Sequence, residues 1–402
     1  MNILFLTLAD ISSIHTRGLY EDLIRKFNDE GHHMYVISPV ERRTGQNTHM
    51  ISEENTKLLK VRIGNTQKTN IVEKGISTVL IESILTSALK KYFSDVIFDV
   101  VLYSTPPVTF LGTVEFVKKR DGARSYLMLK DIFPQNAIDI GLMKTTGIKG
   151  VLYRHFRKLE KRLYEVSDKI GCTSNANIKY VIDHNPDIDK AKLEIFPNCI
   201  DVINKSIDAN TRNAIREKYR IPTDKIVLVY GGNLGKPQDI PFIIECLKRC
   251  SSLSNTFFLV VGDGTEFRIL EDYYNRTHQT NFKLMKRLPK EDYDTMVSAC
   301  DVGLIFLDHR FSVPNIPSRM LSYMQSNIPI IAATDCVTDI RDFLEKGDYG
   351  WWCKSTNSDA FYNLVKNLEF ENLHAKGHNG YKFLIDNFSV DSHYKKILNL
   401  KS

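Results

Sequence analysis

What most constrains this chain is an alternation that runs, stops and then runs again. Residues 3–8 form a short apolar run of strand length. Residues 18–30 follow with Leu19, Leu23, Ile24 and Phe27 at helical spacing, Gly31 ends that helix, and residues 34–38 return as a second strand. Helix 76–93, strand 96–103, helix 110–120 and strand 125–129 continue the pattern. It restarts with strand 226–230, ending in Gly231-Gly232-Asn233, and helix 240–250. Strand 257–261 then ends in Gly262-Asp263-Gly264, and 302–306 and 328–332 are further strands. Strands separated by helices predict a parallel sheet with helices on both faces, so the fold class is α/β with two doubly wound, Rossmann-like domains in tandem.

The length of 402 residues exceeds what one core organises, which agrees with two domains. The join is placed near residues 197–213, where Pro-Asn-Cys-Ile-Asp leads into a polar segment. The expected division is 1–200 and 201–380, with a helix in 381–402 packing back on the first domain. Ligands of such sheets sit beyond the C-terminal ends of the strands, and a cleft shared by the two domains is expected there.

No apolar run approaches the ~18 residues that cross a bilayer. The N-terminus lacks a basic leader region and a small-residue cleavage site, which argues against a signal peptide. Seven cysteines without a CxxC pair suggest neither a disulfide framework nor zinc, and point to a reducing cytoplasm. Cys246 and Cys250 are four apart on a helix but have no second ligand pair. The net charge of +6 is unevenly spread: residues 144–162 carry Lys144, Lys149, Arg154, Arg157, Lys158, Lys161 and Arg162 against one Glu. Val151, Leu152, Phe156, Leu159 and Leu163 thread an apolar stripe through them. Such a helix suits the anionic inner face of a membrane, or packs its stripe on a core and solvates its basic face. No interleaving of aromatic and basic residues accompanies it, so nucleic acid is not expected as a partner.

Residues 311–336, FSVPNIPSRMLSYMQSNIPIIAATDC, carry the sharpest chemical signal. Met320, Leu321 and Met324 recur at helical spacing, which places Ser318 and Arg319 in the first turn of a helix after a proline-bracketed loop. Helix amides and an arginine fork can hold a diphosphate without a metal. An ordinary loop-to-helix junction has the same look. Gly231, Gly232, Asn233 and Gly235 follow a strand, with Lys236 beside them, and Gly262-Asp263-Gly264 is a weaker second instance. Neither is GxGxxG with a later acidic residue, nor GxxxxGK[ST], so nicotinamide and NTPase sites are disfavoured. In the first half, Asp131 follows a strand end and either meets an acceptor hydroxyl or caps the next turn. The loop of residues 10–18 presents Asp10, Ser12, His15 and Arg17 at the first strand's end; His15 and Arg17 suit an acceptor phosphate or simple solvation.

The ordered set NILFLTLADISS, LKDIFPQNAIDIGLM, EKRLYEVSDKIGCTS, FPNCID, VYGGNLGKPQDI, VVGDGTE and VPNIPSRMLSYMQSNIPIIAA spans essentially the whole chain. It resembles glycosyltransferase family 4, with the GT-B fold, and within it the capsule and O-antigen enzymes of the CapL/WbuB type that transfer N-acetyl-L-fucosamine from UDP. The resemblance implies a C-terminal domain that binds the sugar nucleotide. Gly232, Asn233, Lys236 and Gly264 would lie near the diphosphate, with Ser318 and Arg319 at the family's P-S-[KR] position. Val313, Pro314 and Asn315 would lie against the sugar. The family's E-x7-E pair is replaced by Pro314 and Ser322, so ribose contacts at Ser322 would be weak. The family is retaining and needs no metal or other cofactor.

The expected function is therefore transfer of an N-acetylated deoxyhexosamine from UDP to a polyprenyl-diphosphate-linked saccharide, by an enzyme peripheral on the cytoplasmic face of the membrane. Asp131 would be the catalytic residue. A UDP-sugar 2-epimerase of the same fold, and a non-catalytic sugar-nucleotide binder, are the alternatives.

Overall fold

A computed structural model describes residues 1–65 and 71–401 of the chain. β1 (Asn2–Leu6) buries Ile3, Leu4, Phe5 and Leu6 completely, on both faces of the strand. That is why its sequence shows no polar alternation: helices cover both sides of the sheet it occupies. α1 (Leu19–Asp29), β2 (His33–Glu41), β3 (His49–Glu53), β4 (Thr56–Ile63), α2 (Ile71–Tyr92) and β5 (Val100–Thr105) follow. Next come α3 (Leu111–Asp121), β6 (Arg124–Leu129), α4 (Gln135–Asp139), α5 (Gly147–Val166), β7 (Lys169–Cys172), α6 (Asn175–His184) and β8 (Leu193–Ile195).

These strands form one sheet of order β3-β4-β2-β1-β5-β6-β7-β8, parallel throughout except for β3 against β4. β1 and β6 are interior strands, so the loops after them lie on the same C-terminal rim. The β3–β4 hairpin extends the simple alternation. β3 has no buried residue, and without an apolar run it leaves no periodic signal.

The remaining strands and helices begin with α7 (Ala209–Lys218), β9 (Ile226–Asn233), α8 (Ile240–Arg249), β10 (Thr256–Asp263), α9 (Phe267–Thr277), β11 (Phe282–Lys286) and α10 (Lys290–Ser298). β12 (Val302–Phe306), α11 (Arg319–Gln325), β13 (Ile330–Thr334), α12 (Ile340–Gly347), β14 (Gly350–Lys354), α13 (Ser358–Lys366) and α14 (Leu373–Phe388) complete this part. Its sheet has the order β11-β10-β9-β12-β13-β14 and is parallel in every pairing. Leu228, Tyr230, Phe258, Val260, Leu304 and Phe306 face Phe242, Ile243 and Phe361 in its core. Each such side chain stabilises by about 1.5–3 kcal/mol on leaving water.

The chain divides into two units, Met1–Asp201 with Ser389–Ser402, and Val202–Phe388. The second crossing follows α14, so residues 381–388 stay with the second unit. α15 (Val390–Leu398) places Val390, Tyr394 and Ile397 in the first unit's core with Phe5, Ile24 and Phe27.

Candidate active site

In the second unit, β9 does not stop at Tyr230. Gly231, Gly232 and Asn233 continue the ladder, paired with Val261, Gly262 and Asp263, and the turn begins at Leu234. The two glycine signals are thus neighbouring strand ends. Gly232 has φ 124, where a side chain is strained, and a Cβ there would come 3.4 Å from Nη2 of Arg319. Gly264 has a different reason: a Cβ would overlap the Leu234 carbonyl. Asn233 is exposed and donates from Nδ2 to Oε1 of buried Gln238 at 2.8 Å, which stitches the loop. Lys236 is exposed, and among the described residues its ammonium has no partner.

Arg319 is the first residue of α11, and Ser318 precedes the helix, without a side-chain cap. The helix has only seven residues, so the positive feature here is the guanidinium more than the helix end. Its carbon lies 4.4 Å from the centroid of the Tyr230 ring. Nη1 is buried and, among the described residues, has no hydrogen-bond partner. Burial opposes its charge; the facing phenols of Tyr230, Tyr323 and Tyr293 favour it, and the net effect is upward. The Tyr323 hydroxyl sits 3.2 Å from the carbonyls of Val229 and Leu304, and the Tyr293 hydroxyl, also unpartnered, packs against Gly231. This tyrosine bed has no signature in the sequence, because its members lie on β9, α10 and α11.

The loop before α11 is anchored from within. Val313 and Pro314 are buried, and the Asn315 amide donates to Oγ1 of Thr338 at 3.1 Å. Of these three, only Asn315 leaves its side chain half-exposed at the rim. Oγ of Ser322 lies 3.4 Å from Oδ1 of Asp294, whose other oxygen takes Lys205 at 2.8 Å and Lys290 at 2.9 Å. Burial pushes the Asp294 carboxyl up, but the two lysines outweigh it and hold it below the usual range. A carboxylate on α10 therefore stands beside the position where the resemblance finds Ser322 in place of a glutamate.

Asp239, Asp308 and His309 bring ligand-type atoms within 4.8 Å of one another. Arg310 already occupies both oxygens of Asp308, with Nε at 2.9 and 3.1 Å, so a cation would have to displace it.

In the first unit, Asp131 follows β6 and is half-buried. It does not cap α4, whose N-terminal flank is Pro134. Oδ2 instead accepts from Nδ2 of Asn136 at 2.6 Å. Burial pushes the carboxyl up to about 6, against the pull of Asn136. Such a group gains and loses its proton near neutrality, as acid–base work requires. Its neighbour Lys130 donates to the Pro197 carbonyl at 3.0 Å over the Phe196 ring, and burial lowers it to about 8.

The loop after β1 is polar and exposed at Asp10, Ser12, His15 and Arg17, yet two of these are engaged. Asp10 pairs with buried Lys60, which also donates to the Ile11 carbonyl at 2.8 Å. Arg17 pairs with Asp201 at 2.7 Å. Both partners are distant in sequence and escape any local reading.

The basic segment is split by packing. Phe156 and Leu163 of α5 are buried, while Val151 and Leu152 are exposed beside Arg154 and Lys158. Arg157 turns inward to Glu160 and Asn185, both at 2.7 Å, and Arg162 pairs with Glu115. The Lys149 side chain lies outside the described residues.

Solved structures with this fold include sucrose-phosphate synthase from Thermosynechococcus elongatus, with a TM-score of 0.71, 12% identity and 100% and 98% of the two chains covered. Another is HepE of Anabaena in complex with UDP, with a TM-score of 0.67, 13% identity and 99% of each chain covered. The architecture is therefore that of the GT-B glycosyltransferases. The family described as Glycosyl transferases group 1 matches residues 211–382, which include the glycine strand ends, the tyrosine bed and Arg319. A relative in Pseudomonas aeruginosa, the probable glycosyltransferase WbjE, is 22% identical over 365 residues, 88% of this chain and 86% of that one. The second unit thus carries the match to the Glycosyl transferases group 1 family, within a chain of GT-B architecture.

Proposed function

We propose that this enzyme is a retaining, metal-independent glycosyltransferase of family 4, moving an N-acetylated deoxyhexosamine from UDP to a polyprenyl-diphosphate-linked saccharide. N-acetyl-L-fucosamine, as in the CapL/WbuB type, is the first donor to test. The observation that carries the reading is Arg319, stacked on Tyr230 with Nη1 unpartnered beside Gly232. A guanidinium so placed is prepaid electrostatics for a diphosphate, and UDP complexes of HepE lend the nucleotide. The putative colanic acid biosynthesis glycosyl transferase WcaI of Escherichia coli lends the setting of polysaccharide assembly.

In this mechanism Arg319 and Lys236 stabilise UDP as it leaves and negative charge grows on its diphosphate. The acceptor hydroxyl attacks from the face that UDP vacates, which retains configuration. Asp131 orients that hydroxyl and takes its proton. Gly232 and Gly264 keep backbone close to the phosphates, Asn315 faces the sugar, and Asp294 with Ser322 meets the ribose hydroxyls in place of a glutamate. Ser12, His15 and Arg17 meet the acceptor. Val151 and Leu152, with Lys144, Arg154, Lys158 and Lys161, rest on the anionic cytoplasmic face of the membrane.

The test is a panel of UDP-sugars, UDP-N-acetyl-L-fucosamine included, with a lipid-diphosphate monosaccharide and EDTA. UDP release that needs both donor and acceptor supports the reading. Conversion of a UDP-sugar without acceptor would make the protein an epimerase, and UDP binding without release for any pair would make it a binder. Changing Lys144, Arg154, Lys158 and Lys161 to Gln should abolish sedimentation with anionic vesicles at low salt; unchanged sedimentation ends the membrane proposal.

A further inference from the structure

The loop between β1 and α1 is held from beneath by charged groups in two halves. Lys60 and Glu53 hold the front: Lys60 takes Asp10, the Ile11 carbonyl and Ser38, while Glu53 accepts the Ile14 amide at 2.7 Å and the Ser13 hydroxyl at 3.1 Å. The back half depends on one side chain, Arg25 of α1. Its Nη1 donates to the carbonyls of Ile14 and, at 2.6 Å, Thr16. Its Nη2 donates to Asp22 and, at 2.9 Å, to Asp201.

Asp22 is itself engaged on both oxygens. Its carboxylate accepts the Gly18 amide at 3.3 Å and the Asp201 amide at 3.0 Å. Asp201 also holds Arg17, so the exposed arginine of the loop and the covered arginine beneath it share one carboxylate. Arg25 is only 17% exposed, and a ligand on the loop would meet Arg17 and His15 rather than Arg25.

We propose that Arg25, fixed by Asp22 and Asp201, is the positioning residue of this loop, presenting His15 and Arg17 to the acceptor from a backbone already set before the acceptor arrives. The inference rests on the reading above that this loop meets the acceptor. Only a planar fork reaches two carbonyls along one edge and two carboxylates along the other; an ammonium cannot satisfy all four. Because Asp201 keeps Arg25 as a partner, Arg17 can leave it for an acceptor phosphate without stranding a bare carboxylate.

The test uses the full chain with two readouts. Amide hydrogen exchange of residues 9–18 needs no substrate. Transfer kinetics use farnesyl-diphosphate-linked N-acetylglucosamine as the acceptor probe and the donor that the panel identifies. Arg25→Met should speed exchange in residues 14–18 at least about tenfold, leaving β1 within about twofold. It should raise the acceptor KM about tenfold, with donor KM and kcat nearly unchanged, because the ordering cost then falls on acceptor binding. Arg25→Lys should recover part of both effects. Should Arg25→Met fail to fold, Asp201→Asn carries the test and should move both readouts in the same direction, less far. Unchanged loop exchange in the folded variants, or a parallel rise of donor and acceptor KM, would overturn the proposal. Absence of transfer in the wild type would instead count against the functional reading, and the exchange result would still decide this one.

Discussion

Replacing Arg319 by Met tests the centre of the site with two readouts of opposite expectation. The substitution keeps an apolar stem over the Tyr230 ring and removes the charge. A charge-assisted hydrogen bond contributes about 1.5–3 kcal/mol, and the diphosphate gains charge as it departs, so about 3 kcal/mol is at stake in the transition state. That predicts a fall of roughly 100-fold in kcat/KM, with weaker UDP binding by titration calorimetry. Stability should behave differently. The cation–π contact with Tyr230 contributes up to about 2 kcal/mol, but an unpartnered, buried Nη1 costs about 1–3 kcal/mol. The two nearly cancel, so Tm should stay within about 3 °C of wild type. A purely structural arginine would give the reverse: a large drop in Tm with UDP affinity intact. A folded Arg319→Met enzyme with kcat/KM within threefold of wild type would refute the reasoning.

Asp131, raised to about 6, should give a pH–rate profile that climbs through that value as the carboxylate forms, and Asp131→Asn should flatten that limb and lower kcat. The sign for stability is opposite: the native state holds the proton more tightly than the unfolded chain, so stability is lost as pH rises from about 4 to 6. Asp131→Asn should therefore recover on the order of 1–2 kcal/mol at pH 7.5 by urea denaturation, and a less stable variant would contradict the burial argument. Ser322→Glu, which restores the residue the family resemblance would supply, should lower Tm and fail to tighten UDP binding, because it sets a second carboxylate against Asp294. Tighter UDP binding by calorimetry would show that Asp294 has not taken over that place. Gly264→Ala should cost about 2 kcal/mol or more in chemical denaturation, since the Leu234 carbonyl leaves no room for a methyl group, and a neutral result would mean that the two strand ends separate easily.

The alternation was legible because burial on both faces writes itself as uninterrupted apolar runs, as at Ile3–Leu6 and Val302–Phe306. β3 was not, since a strand with no buried residue has no pattern to write. The continuation of β9 through two glycines escaped for another reason: glycine reads locally as a turn, while pairing with an equally long neighbour keeps it extended. In the site, Arg319 could be singled out from residues that adjoin it in sequence. What sits beneath and beside it could not. Tyr293 and Tyr230 reach it across tertiary distance, as Lys60 reaches Asp10 and Asp201 reaches Arg17. The stripe of α5 stayed ambiguous in the sequence because one periodicity served two ends: Phe156 and Leu163 went to the core, and Val151 and Leu152 stayed outside.

The return of α15 to the first unit bears on how the protein is made. The core around Phe5, Ile24 and Phe27 closes with Val390, Tyr394 and Ile397, which leave the ribosome after the whole of the second unit. During synthesis the first unit must therefore wait, with an apolar face uncovered, while Val202–Phe388 emerges as an uninterrupted stretch able to complete its own core first. A chain truncated after Phe388 and released should carry a finished second unit and an unfinished first one, the state in which a chaperone would find it.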